Sequence, residues 1–263
     1  MIRRVWIAYT LELAKAIRAK STYVGPALVI LAVLCTLLVH PVQQDGRSDY
    51  EFVAKATPLA LNLLGWLLLL TYCAGLVSSE LGSGSIRLLL VRPLLRREFL
   101  AAKLLHGMTY ALVLTLCAAG TSWVVALTRG ELVGVGFGGE VMYTAGQMLR
   151  AYLIGAALAL IPQFAAVAYA VMASTLTRST GAAVIATVGV WVLVDFVKYP
   201  LRVAPFLFST YLEAPWQTFA DRCNGFSTPW LPMGYYCLGT SLAALILFSC
   251  VATAALNRRN LQV

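Results

Sequence analysis

The run ATPLALNLLGWLLLLTYCAGLVSS, Ala56–Ser79, contains no charged side chain. A helix needs about 20 mostly apolar residues to cross the hydrocarbon of a bilayer, so this run is long enough to span a membrane. Outward from it, five further stretches lack Asp, Glu, Lys and Arg: Ser21–Gln44, Leu104–Thr128, Ala151–Thr177, Ser179–Val194 and Cys223–Asn257. Ser179–Val194 is short and extends to Val197 if Asp195 sits at the interface. The last stretch holds one span, near Gly234–Leu256. The expected fold is all-α and integral to the membrane, a single domain over 1–263, with spans at 22–40, 57–78, 103–127, 149–176, 179–197 and 234–256. Pro58 suits the first turn of the second span, and Pro162 predicts a kink in the fourth. The short link around Arg178 makes the fourth and fifth spans antiparallel neighbours.

Composition agrees. Hydrophobic residues make up 60% of the chain and charged residues 12%, about half the usual charged share of roughly a quarter. Such a chain cannot cover itself with polar side chains, which makes lipid its solvent. The first apolar run starts too late and is too long for a cleaved signal peptide. The six cysteines fall mostly inside spans, where thiols act as small hydrophobes. Cys223 and Cys237 can both face outward, and their spacing leaves pairing open.

Lys and Arg collect on the cytoplasmic side of membrane proteins. With the N-terminus inside, thirteen basic residues lie in inner segments and seven in outer ones. The net charge of +9 is thus a topology signal and does not point to nucleic acid, because it is not clustered on a soluble domain.

Residues 1–20 are too charged to span. At 100° per residue Ile2, Trp6, Tyr9, Leu13 and Ile17 share one face, with Arg4, Glu12, Lys15 and Arg18 opposite. This pattern predicts a helix in the membrane surface with its basic face toward headgroups. The GVGFGG string at Gly134–Gly139 matches G-x-G-x-x-G, but it lies between two spans rather than between a strand and a helix, so it reads as a flexible outer loop. Residues 199–232 hold five of the ten prolines and eight aromatics. They predict short re-entrant helices at the outer face, where irregular backbone must be buried or line a cavity. Asp195 and Lys198 read as an interfacial pair or, alternatively, as a substrate or proton contact. Asp195, Tyr211, Trp216 and Phe219 are candidates for a substrate path or outer gate.

No lysine is preceded by glycine, so the chain has no P-loop. His40 and His106 fall near opposite faces, which argues against a paired-histidine metal site, and there is no G-x-S-x-G elbow. Any uphill transport must draw its energy from elsewhere.

The segment after the opening run, ELGSGSIRLLLVRPLLRREFLAAK at Glu80–Lys103, is longer and more basic than a connector needs. Ser79 can cap a helix, Glu80 suits its first turn, and Ile86, Leu89, Leu90 and Leu94 give an apolar stripe. Pro93 would end that helix at Arg92. Gly82 and Gly84 allow close backbone approach. The segment resembles the first cytoplasmic loop of type-2 ABC transporter permeases, with matches at Glu80, Gly84-Ser85, Leu88, Leu89, Pro93, Arg96 and Lys103. In that family the surface helix is the elbow and the loop helix the coupling helix. The resemblance implies an elbow at 1–20, with Trp6, Tyr9, Leu13 and Ile17 as its interfacial residues. It implies a coupling helix at 79–93, with Glu80, Gly82, Gly84, Ser85, Ile86, Arg87, Leu89, Arg92 and Pro93 contacting an ATPase.

It further implies an exporter subunit of a bacterial inner membrane with both termini cytoplasmic. Its partners would be an ATPase subunit that binds ATP and Mg and a second copy of this or a homologous permease. The chain itself would bind no cofactor and catalyse nothing. The alternative is an integral membrane enzyme acting on lipids at the outer interface, for which Asp195, Glu213 and Asp221 are the only carboxylates available. A passive channel would need a polar ring that the sequence does not display.

Overall fold

A computed structural model of the chain describes residues 2–40, 42, 48–84, 95–137 and 140–258. Its helices are α1 (Ile2–Arg18), α2 (Lys20–Val39), α3 (Tyr50–Leu59), α4 (Trp66–Gly82), α5 (Arg96–Arg129), α6 (Ala145–Leu176), α7 (Thr180–Val197), α8 (Ala214–Cys223) and α9 (Met233–Arg258). A π-helical turn, Ala60–Gly65, joins α3 to α4, so Tyr50–Gly82 forms one long helical rod. Two 3-10 turns, Ala204–Phe206 and Phe208–Leu212, precede α8. Six of these helical segments are long and apolar enough to cross a membrane: α2, the α3–α4 rod, α5, α6, α7 and α9.

The second and fourth spans form the centre. In each, 56% of the most apolar stretch is buried within the protein, against 22%, 11% and 17% in α2, α7 and α9. The centre is built from small side chains. Ala165, Ala166, Ala168, Ala170 and Ala173 of α6 are all buried, and small residues let membrane helices approach closely. Ser174 joins α6 to α4: its Oγ donates to Ala74 O at 2.6 Å and accepts from Ser78 N at 2.8 Å. A second polar joint links Thr57, Ser122 and Tyr152, whose hydroxyls lie 2.7 to 3.3 Å apart. Thr115 donates to Gln163 Oε1 at 3.0 Å.

Several boundaries differ from the sequence expectation. Helix begins at Tyr50, so Pro58 lies inside the rod rather than in its first turn. Proline leaves the carbonyl four residues back without a helical donor, and the π turn begins two residues after it. At Pro162 α6 continues as helix. The carbonyl that Pro162 cannot satisfy, Leu158 O, faces the Cys237 thiol of α9 at 3.7 Å. Cys223 and Cys237 are both free thiols.

The glycine-rich string is not simply a flexible loop. Val135–Phe137 pairs antiparallel with Glu140–Tyr143 in a two-stranded ribbon. Gly134 enters that ribbon where an added Cβ would lie 2.3 Å from Tyr143 O, an approach that only glycine permits.

Candidate functional site

Polar side chains gather at the two ends of the bundle. At the end next to residues 83–95, Lys103 of α5 is 2% exposed. A buried ammonium must be paired to persist. Lys103 Nζ donates to Glu12 Oε2 of α1 at 2.6 Å and to Glu80 Oε1 of α4 at 2.8 Å. Lys15 reaches the same two carboxylates at 2.8 and 3.4 Å. Two acids and two bases therefore join three helices. Burial pushes the Glu12 carboxyl up, but the Lys103 and Lys15 ammonium groups outweigh it and hold Glu12 below its ordinary value. Burial pushes Lys15 down, and its bonds to Glu12 and Glu80 outweigh that and hold it above. One turn along α5 from Lys103, His106 Nε2 pairs with Tyr72 OH at 2.7 Å, and Tyr72 stacks on Tyr110.

This arrangement corrects two expectations. Glu12 turns into the protein rather than toward headgroups, because Lys103 requires a carboxylate. Glu80 lies in the last turn of α4, which runs to Gly82, and so does not open a new helix after Ser79. An added Cβ at Gly82 would lie 3.0 Å from Arg178 O, so the close approach expected there is made to the link between α6 and α7. Gly84 has φ +72°, the left-handed region that glycine favours. Ser85, Ile86, Arg87, Leu88, Leu89, Arg92 and Pro93 lie outside the described residues. Arg96 opens α5, and its guanidinium donates to Leu256 O at 2.7 Å and Asn257 O at 3.0 Å, tying α5 to the end of α9. On α1, Trp6 and Ile17 are exposed, Leu13 is half-buried, and Tyr9 OH bonds Thr109 Oγ1 at 2.8 Å.

At the opposite end lies a cavity of about 580 Å³, within the usual range of roughly 300–1,000 Å³ for ligand pockets. The π turn contributes Asn62, α3 contributes Lys55, α7 contributes Trp191 and Asp195, and the segment before α8 contributes Ser209 and Glu213. Lys198 also lines it, buried and hydrogen-bonded to Asp195 Oδ1. Lys55 pairs with Glu51 at 2.7 Å. Among the described residues the Glu213 carboxylate has no hydrogen-bond or ion-pair partner. Below the cavity, between Asn62 and Gln163, the remaining gap is about 10 Å³, no more than the roughly 10–15 Å³ that one water needs.

Of the gate candidates, Asp195 lines this cavity. Trp216 and Phe219 do not: both are buried, and their rings pack against Tyr152 at 5.9 and 5.3 Å, anchoring α8 to α6. Tyr211 is buried too and donates its hydroxyl to Pro205 O at 2.9 Å. The carboxylates of the enzyme alternative do not all converge. Asp221 accepts from Thr228 at 3.0 Å, away from the cavity that Asp195 and Glu213 share. Among the described residues no three of His, Cys, Asp and Glu form a metal-ligand group. The sequence reading did not select Asn62, Lys55, Ser209 or Trp191. Asn62 left a signal, as a lone amide amid apolar neighbours in the opening run.

The fold is thus that of a helical membrane protein with six helices long and apolar enough to span. By comparison with known families, residues 24–261 match the family described as "Protein of unknown function (DUF2705)", and the chain belongs to that family. No curated protein matches the chain.

Proposed function

We propose that the chain is the membrane-spanning permease subunit of an ATP-driven ABC exporter. In this reading a separate ATPase, carrying ATP and Mg, docks on the connector between α4 and α5. A second copy or a homologous permease completes the transporter, set in a bacterial inner membrane with both termini cytoplasmic. α1 lies in the membrane surface as an elbow, and the short helices between α7 and α9 dip into the outer leaflet.

The observation that carries the reading is the charge cluster bracketing the connector. Glu80 precedes it, Lys103 follows it, and Glu12 brings in α1. A push on residues 83–95 would load three helices at once, and such displacements of packed elements as units are how membrane and allosteric proteins move. The resemblance of Glu80–Lys103 to a coupling loop adds the direction from which force would come.

The test is to purify the tagged chain from its own membrane and assay nucleotide hydrolysis in the preparation. A companion ATPase should co-purify, and Arg87→Glu with Arg92→Glu should remove it while membrane insertion is unchanged. Hydrolysis retained in full by that double variant, or transport by the chain alone without nucleotide, overturns the reading.

A further inference from the structure

The charges around the cavity at the Asp195 end are not equally free. Both cations in its lining are already engaged, Lys198 by Asp195 and Lys55 by Glu51. The Glu213 carboxylate is not engaged by any described residue, and the Asp195 side chain is 42% exposed. An anion entering here would meet an unneutralised carboxylate. A neutral apolar molecule would strip water from that carboxylate without replacing its bonds, which is costly.

The wall adds two further observations. Ser209 is 6% exposed, and its Oγ has no hydrogen-bond partner; the indole Nε1 of Trp191 is likewise buried without one. The Ser209 oxygen can turn a lone pair toward a positive group, whereas the Trp191 N–H is a donor and does not bear on a cation. An indole face also attracts cations. Leu59 and Leu63 line the cavity yet are 60% and 63% exposed, so it is continuous with the apolar flank of the second span. The π turn that carries Asn62 belongs to a class of irregularity frequent at functional sites.

We propose that this cavity binds an amphipathic organic cation, with its positive group at Glu213 and Asp195 and its apolar body along Leu59, Leu63 and Trp191. The proposal deepens the export reading by naming a substrate class, and rests on it only for the fate of the ligand. Binding itself needs no ATPase.

The test uses the purified full chain in a neutral detergent. Equilibrium dialysis against tetraphenylphosphonium and, separately, tetraphenylborate compares two ions of like shape and opposite charge, each referenced to protein-free micelles. The phosphonium should bind saturably and the borate should only partition. Glu213 is exposed, so Glu213→Gln keeps the fold; losing a charge-assisted contact should weaken phosphonium binding about tenfold. Glu213→Lys should abolish it. Saturable borate binding equal to that of the phosphonium, unchanged affinity in Glu213→Gln, or no saturable phosphonium binding in the wild type overturns the proposal. Each of these leaves the co-purification of an ATPase untouched as a separate result.

Discussion

Lys103 concentrates the physics of the end next to residues 83–95 in one side chain. Removing one partner of a buried ion pair leaves the other charge without compensation, at a cost of about 3–5 kcal/mol. Lys103→Met leaves Glu12 and Glu80 with only the more exposed Lys15 to balance them, and its apparent melting temperature in detergent should fall steeply. Adding Glu12→Gln and Glu80→Gln should recover much of that loss, since neutral groups cost less to bury. The cluster also has a pH window. Glu12 is depressed when folded, so its share of stability is present above its ordinary value of 4.5 and lost as pH falls through the lower folded value. Lys15 is raised when folded, so its share is present below 10.5 and lost as pH rises through the higher folded value. Melting temperature plotted against pH should therefore hold a plateau between those limits and drop at both ends, and Glu12→Gln should flatten the acid limb. At Cys223, burial and the nearby Glu51 charge push the thiol up to about 12. A water-soluble maleimide near neutral pH should leave Cys223 unmodified in the folded chain and label it after denaturation.

Helix contacts sort the glycines into those that matter and those that do not. An added Cβ at Gly107 of α5 would lie 2.5 Å from Val167 Cγ1 of α6, whereas one at Gly189 of α7 would meet nothing within 4 Å. Gly107→Ala should destabilise by about 1–3 kcal/mol through overpacking. Gly189→Ala should leave the melting temperature unchanged or raise it slightly, because glycine costs helix stability relative to alanine. The sequence announced the spans themselves, because charge is so rare that its gaps mark the lipid-crossing runs. It was silent on the π turn, since local propensity contains nothing that distinguishes Ala60–Gly65 from ordinary helix. It also misjudged Glu12 and Glu80. Helical periodicity places a carboxylate on a face, but only the tertiary partner, Lys103, decides whether that face looks outward. Trp216 and Phe219 show a related ambiguity: an aromatic-rich segment reads equally as a gate or as an anchor, and the rings of these two pack on Tyr152 of α6.

Across the whole molecule the two ends differ in kind, one holding two acids and two bases locked together, the other a carboxylate that no described residue engages. The distribution of basic residues predicts an orientation that can be measured directly. In a background with the native cysteines replaced, Ser83→Cys and Ser227→Cys sit on exposed residues at opposite ends. In intact cells an impermeant maleimide should label Ser227→Cys and spare Ser83→Cys, and the reverse pattern would invert the topology. The charge bias supplies the orientation that this labelling tests; the cavity could not be read from the sequence, because its lining comes from four stretches, at 40, 54–63, 191–198 and 209–213.

The burial gradient among the spans has a mechanical corollary. α7 is the least enclosed of the six, with 11% of its most apolar stretch inside the protein, and it touches the body chiefly through α4 and through Tyr169 OH, which donates to Thr187 O at 2.8 Å. Trp191 and Asp195 ride on that helix, with Lys198 at its cap. Rocking α7 would exchange one oily neighbour for another and strip little surface, so the chamber's aperture is coupled to its softest stave.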